Sequence, residues 1–545
     1  MLSALVLVTA LAAPEIIVVN AQMPTQPKWQ AMAIEKGKIT AIGTEAQMRA
    51  LATSETRVVD VDGRLVLPGL IDSHSHFMGG GASLTQVQLA DAKTLEALKA
   101  KIAAYAKANP KLPWLTGRGW MYEIFKKGNA QFPTRQMLDE VVSDRPVFLR
   151  AYDGHTGWAN SKALEAAGIT AATVDPKNGV IVREADGKTP AGALKEDAME
   201  LLFSKQPQAT DEEQQRSILL AQQQAFEDGL VAVNEFAGDA KTVDAYLALE
   251  GQGRLFIKVF FSPPLETPIA EVVKLREKLK AKSKLVRLGS MKGFVDGVVE
   301  SNTAAMLAPY ANNAREKGKP AYTQAELNAL VVAADKERIP VSLHAIGDAA
   351  VRMSLDAFEN AARVNGTHDV RHRVEHIEVL DPADVPRFAK LGVVASMQPY
   401  HCEPADGATL GAWEVNLGKA RLAKTFNWAT LRKAGAVLAF GSDWPVMSMD
   451  PLMGLAMAIS RQNGQGLPAK GWQPQQKISF LEAVDGYTKG AAWALHAEDS
   501  LGTLEVGRPA TLVVLHRKVQ VDAPLSQYWG GVDGTMIDGI WVHGH

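Results

Sequence analysis

Apolar residues recur along this chain in two rhythms, and the alternation between them sets the expected architecture. Eight short apolar runs have strand character: LVLPGLIDSHSH, LVAVNEF, LFIKVFF, GSMKGFVDG, PVSLHAIGD, HRVEHIEVL, GVVASMQPY and VLAFGSDWP. Between them lie Ala/Leu/Lys-rich amphipathic stretches such as AELNALVVAADKER and WATLRKAG, with Gly or Pro at many boundaries. Strand-sized apolar runs alternating with helical periodicity are what a parallel sheet wrapped in helices requires. The pattern predicts an α/β fold, a (β/α)₈ TIM-like barrel over residues 67–496.

The ends of the chain have a different texture. EIIVVNAQM, AMAIEKGKITAIG and RVVDVDGRLVLPG read as short strands broken by Gly-Lys and Asp-Gly turns, and SLGTLEVGRPATLVVL and GTMIDGIWVHG repeat that texture. Residues 14–66 and 497–545 are therefore expected to form one β-sandwich domain flanking the barrel. Strand one ends near His74 and strand two begins near Leu230, a gap too long for one crossover helix. A large insertion after strand one, over about residues 85–225, is expected to cover the barrel mouth.

Charge and cysteine content narrow the chemistry. Lys+Arg 58 against Asp+Glu 60 leaves a net charge of −2, which points away from nucleic acid as a partner. Cys402, the single cysteine, excludes an intrachain disulfide framework and a Cys-based zinc site. A metal would have to sit on His, Asp, Glu or modified Lys. The first thirteen residues, MLSALVLVTALAA, are uncharged, apolar and too short to span a bilayer, and they contain an A-x-A pattern near their end. They read as a signal peptide, giving a periplasmic or secreted protein, with an N-terminal strand and a cytoplasmic location as the alternative. No later segment is a candidate membrane span.

His74 and His76 form an H-x-H at the end of the first strand run, where i and i+2 side chains share a face and can chelate one metal. Alone this signal is weak, since His543 and His545 repeat it at the C-terminus. The other polar groups carry more weight because each sits at a different strand end. His344 follows PVSL, His376 follows RVE, Asp443 follows VLAFGS, and Lys292 lies in GSMKGFVDG. A single strand-end histidine is more often structural, but strand ends are where barrel enzymes place catalytic groups, and several in strand order indicate a site.

Over nearly its whole length the chain resembles the amidohydrolase superfamily, and within it the amidohydrolase family 3 proteins similar to N-substituted formamide deformylases. The matching stretches are LVLPGLIDSHSH, YDGHTGWANSKAL, KGFVDG, SLHAIGDAAV, RVEHIE, SMQP, FGSDWPV and LGTLEVGRPA. The resemblance implies that His74 and His76 bind the more buried metal and His344 and His376 the more exposed one. It also implies that Lys292 bridges them after carboxylation, and that Asp443 touches the first metal and serves as the base. A neutral amine cannot bridge two cations, whereas its carbamate is a carboxylate analogue. If Lys292 is an ordinary salt-bridging lysine instead, another group bridges or a single metal suffices.

Two zinc ions are the default cofactors, with iron, manganese, cobalt and nickel also suited to such ligands. The implied reaction is hydrolysis of an amide-type C–N bond in an N-acyl or N-formyl amine, an N-acyl amino acid or a cyclic amide. Water activated at the metals would give its proton to Asp443, which returns it to the departing nitrogen. Ester hydrolysis or hydration chemistry at the same site is the alternative, as is a non-catalytic binding homologue. A base retained beside a full ligand set argues against the last.

Asp153, His155 and Trp158 in the insertion are candidate substrate contacts, against the reading of a structural turn. Arg421 is a candidate partner for a substrate carboxylate, against that of an exposed helical arginine. Cys402 either faces the pocket or is a buried apolar thiol. Two features depart from the family pattern: Thr511 stands where Gly-x-x-Ala-Asp-Leu has its acid, and Met121 and Tyr122 follow Trp120 where a polar contact is expected. A small-molecule amide is the expected partner, and homodimerisation is left open.

Overall fold

The computed structural model describes residues 13–125, 132–236, 238–404, 411–516 and 531–545. The apolar run that suggests export lies outside them except for Ala13.

Each of the eight apolar runs contains a strand, and these strands pair in parallel. β1 (Leu70–Ser75), β2 (Leu230–Phe236), β3 (Lys258–Ser262) and β4 (Val286–Leu288) form one sheet in the order β4-β3-β2-β1. A second sheet runs in chain order through β5 (Met291–Phe294), β6 (Val341–Ala345), β7 (Arg373–His376), β8 (Val394–Met397) and β9 (Leu438–Phe440). Parallel bridges join the two sheets at both edges, Pro264 with Lys292 and Ser75 with Trp444. Every residue of β1 and β2 is buried. Coverage on both faces explains why these strands read as continuous apolar runs and not as alternation.

The connecting helices follow their periodicity. AELNALVVAADKER forms the helix Gln324–Lys336, opened by a capping box between Thr323 and Glu326. The helix Asp348–Asn365, which follows β6, buries Val351, Leu355 and Phe358 at helical spacing. Each such side chain contributes roughly 1.5–3 kcal/mol relative to exposure.

The terminal segments form two four-stranded sheets. One is N-terminal, in the order 38–43, 31–35, 16–19, 57–60; the other places Val66–Pro68 beside 512–515, 532–537 and 540–544. A shared apolar cluster joins Val18, Ile34 and Ile39 of the first to Val66, Leu512 and Met536 of the second.

Between β1 and β2 the chain builds a six-stranded sheet from strands within residues 87–196, with apolar clusters of its own. Polar links hold it against the loop after β5. Tyr152 Oη donates to Glu300 at 2.7 Å, Lys195 Nζ to the Ser301 carbonyl at 2.7 Å, and Thr303 Oγ1 to Glu196 at 2.7 Å.

Candidate metal centre

The centre begins with the polar end of β1, where alternation puts Asp72, His74 and His76 on one face. Asp72 accepts the Ser442 backbone N–H at 2.9 Å and the His74 N–H at 3.1 Å, clamping the loop after β9 onto β1. That approach requires glycine at 441, since a Cβ there would stand 2.5 Å from the His74 nitrogen. The same loop donates the Asp443 N–H to the His74 carbonyl at 2.7 Å. The outcome is a carboxylate whose Oδ1 lies 3.3 Å from both His74 Nε2 and His76 Nε2.

β7 supplies the next layer. Glu375 Oε2 meets His74 Nδ1 at 2.7 Å, and Arg373 Nε lies 2.9 Å from Glu375 Oε1. Burial opposes ionisation of Glu375, but the charges of Arg373 and His74 hold its carboxyl down at about 2. With a carboxylate on Nδ1, the His74 proton sits there, and the Nε2 lone pair faces Asp443. Simple alternation would send Glu375 and His376 to opposite faces. The backbone is left-handed at His376 (φ 73°) and Ile377 (φ 54°), and the His376 ring reaches 4.8 Å from that of His74. Such backbone costs of order 1–3 kcal/mol per residue and is a mark of functional sites. Asp443 carries the same strain, at φ 59°.

Lys292 on β5 is buried, with Nζ 3.4 Å from His74 Nε2 and flanked by the rings of Phe236 and Phe294 at 4.5 and 4.8 Å. Burial lowers its ammonium to about 8. His344 on β6 has its ring 4.4 Å from that of His376 and its Nε2 3.1 Å from the Gly297 carbonyl, which leaves Nδ1 as the lone-pair nitrogen. Burial and nearby cations keep both His344 and His376 neutral, well below the usual imidazole range. Burial pushes Asp443 up, yet its contacts with His74 and His76 hold it well below the usual carboxylate range.

Two sets of donors converge within 4.8 Å: His74, His76 and Asp443, and His376, His401 and Asp443. His376 Nδ1 and His401 Nε2 are buried without a hydrogen-bond partner. An unsatisfied buried polar atom costs about 1–3 kcal/mol, and a cation at these nitrogens would remove that cost. Imidazole nitrogens converging on a shared carboxylate fit a divalent metal.

Of the remaining expected residues, only His155 reaches this cluster. Its ring is 5.3 Å from that of His344, and its Nδ1 is 2.7 Å from Glu196. Burial works against its protonation, but the Glu196 charge carries it up to about 9. Asp153 stands behind it, accepting the His155 N–H at 3.0 Å and the Tyr122 hydroxyl at 2.8 Å.

Trp158, expected at the substrate, is instead fully buried in the insertion core between Trp120 and Phe125, with its indole N–H on the Thr134 carbonyl at 2.8 Å. Arg421, expected to meet a substrate carboxylate, donates Nε to the Leu417 carbonyl at 2.8 Å and Nη1 to the Ala308 carbonyl at 3.1 Å. Cys402 is buried, and burial pushes its thiol up to about 11. The strand-end pattern does not single out His401, Glu375 or Glu196. His401 lies just past β8, in MQPYH, and a histidine so near a strand end is the signal that points to it.

The profile of the amidohydrolase family matches residues 57–543. Protein LONG AFTER FAR-RED 3 of Arabidopsis thaliana is 32% identical over 505 residues, covering 90% of this chain and 84% of that protein. The N-substituted formamide deformylase of Arthrobacter pascens is 29% identical over 506 residues, covering 90% of each. The crystal structure of an uncharacterized metal-dependent hydrolase from Pyrococcus horikoshii superposes with a TM-score of 0.73 at 25% identity, covering 93% of this chain and 99% of that one.

Proposed function

The chain belongs to the amidohydrolase family, metal-dependent hydrolases of TIM-barrel-like α/β fold acting on carbon–nitrogen bonds other than peptide bonds, and from that premise we propose that it cleaves the C–N bond of an N-acyl or N-formyl amine. The observation that carries this reading is Asp443: an ionised carboxylate shared by two converging sets of donors, beside histidine nitrogens with no other partner.

In this reading β4 and β5 are one strand interrupted at Gly289 and Ser290, so that eight strands close a (β/α)₈ barrel through the Pro264–Lys292 and Ser75–Trp444 bridges. The two terminal sheets form a β-sandwich, and the six-stranded sheet is the insertion over the barrel mouth. His74, His76, His344 and His376 would hold two zinc ions, with Lys292, once carboxylated, as a further ligand. Zinc held there supplies Lewis acidity, lowering the pKa of water and polarising the carbonyl. Asp443 takes the proton of the attacking water and carries it to the departing nitrogen. Glu375 and the Gly297 carbonyl fix which nitrogens of His74 and His344 face the centre.

The substrate lies in a cavity of about 790 Å³ that runs from Phe294, Asp296 and Gly297, next to His344, to Phe132 and Lys195 of the insertion. Its size is within the usual range for small-molecule sites and leaves room for a substituent much larger than a formyl group. Residues 1–13 act as an export signal in this reading, which N-terminal sequencing of the natively expressed protein tests.

Activity is tested with a panel of N-formyl amines, N-acyl amino acids, cyclic amides and esters, before and after chelation and on metal return. Amide turnover that disappears with the metal and returns with it is expected. Asp443→Asn should lower kcat by at least ~10²-fold. Wild-type turnover in that variant would remove the base from the mechanism, and turnover of esters alone would reject the amide assignment.

A further inference from the structure

His401 does not belong to the strand-end ligand set, yet it is built like a member of it. It sits in the 3₁₀ turn Pro399–Cys402 that follows β8, partly buried, with its Nε2 atom buried. Its ring lies 5.9 Å from that of His376 at an interplanar angle of 24°. On the inner side, Nε2 has no hydrogen-bond partner and stands 3.9 Å from Asp443 Oδ2. On the outer side, Nδ1 is 3.6 Å from Glu378 Oε1, and Glu378 is itself held by the Trp413 indole N–H at 2.6 Å.

His74 shows a tighter form of this arrangement on the other side of Asp443, its outer nitrogen 2.7 Å from a carboxylate where that of His401 is 3.6 Å from one. There Glu375 takes the outer nitrogen and leaves the inner one facing Asp443 Oδ1. Glu375 and Glu378 flank His376 in the single stretch Glu375-His376-Ile377-Glu378, so one turn of chain orients a histidine on each side. A carboxylate on the outer nitrogen sets the tautomer and ring orientation of a metal-binding histidine and raises its basicity. His401 has a carboxylate 3.6 Å from its outer nitrogen, a buried inner nitrogen without a hydrogen-bond partner, and a shared acid 3.9 Å away.

Resting on the metal-dependent reading above, we infer that His401 ligates a divalent cation together with His376 and Asp443, so that Asp443 Oδ1 serves the position of His74 and His76 and Oδ2 serves this one. Glu378 is the positioning residue for His401. The second cation position is then completed by a histidine from a turn, not from a strand end.

The test is metal content and zinc affinity of the purified full-length protein, with X-ray absorption counting imidazoles per zinc, for wild type, His401→Ala, His401→Gln and Glu378→Gln. Circular dichroism and Tm identify which variants are folded. The expected result is about two equivalents in wild type and about one in both His401 variants. In Glu378→Gln the weaker site should lose zinc affinity by about 10–100-fold. A folded His401 variant with wild-type stoichiometry, affinity and imidazole count overturns the assignment and leaves His401 as a substrate contact. Should both His401 variants misfold, unchanged affinity in Glu378→Gln overturns it. Wild type that binds no metal rejects the metal-dependent reading itself.

Discussion

Glu375 Oε2 lies 2.7 Å from His74 Nδ1 where neither side chain touches solvent. Arg373 balances the charge from the other side at 2.9 Å. This pair decides which His74 nitrogen is free, so Glu375→Gln should weaken metal binding by about 10–100-fold while the protein stays folded. Competition with a chromogenic chelator measures it, and unchanged affinity would dismiss the orienting role. Because the Glu375 pKa is depressed, its ionised form contributes stability that is present above about pH 4.3, the ordinary glutamate value, and is lost as pH falls towards about 2. Acid unfolding of the metal-free variant should show a shallower dependence over that window.

Lys292 stands 3.4 Å from His74 Nε2, and its ammonium is depressed by burial. A carbamate at this position predicts that Lys292→Ala loses most bound metal and nearly all turnover. Elemental analysis beside the activity assay decides it. Wild-type metal content in the alanine variant would leave Lys292 as a buried amine with no bridging task.

Trp158 is a core residue of the insertion, so Trp158→Phe should lower stability by about 1–3 kcal/mol through the lost indole hydrogen bond and altered packing, with KM within twofold of wild type. Thermal unfolding and steady-state kinetics test both halves. A large rise in KM with unchanged Tm would return Trp158 to the substrate pocket.

His155 and Glu196 form an ion pair 2.7 Å apart in which the imidazole is raised to about 9. A raised histidine contributes stability that is complete below about pH 6.5 and lost as pH rises through about 9. The Tm of chelator-treated protein should therefore fall between those values, and Glu196→Gln should flatten the fall. Equal slopes in the two proteins would show that the pair does not carry this dependence.

The strands were legible because both faces of β1 and β2 are covered, which turns each into an unbroken apolar run. His74, His76 and Asp443 were legible for a related reason: a polar residue that ends such a run stands out against it. His401 was not, because its approach to Asp443 is set by how the turn after β8 folds back, and no periodicity encodes that. Trp158 could not be assigned because an indole reads the same in a core as in a pocket until its N–H partner, here the Thr134 carbonyl, is known. Arg421 gives two of its donors to backbone carbonyls, a pairing that no sequence pattern announces. The three residues of β4 are too few to stand out as an apolar run, although Gly289 and Ser290 mark the break before β5.

The clamp from Asp72 to Ser442 joins residues 370 apart in the chain. At about 5–20 residues per second, a ribosome needs roughly 20–70 s to add that many residues. His74 and His76 are thus made long before Asp443 exists to meet them. Until then no centre of this geometry can form, and its completion waits on the two ends of the strand series coming together.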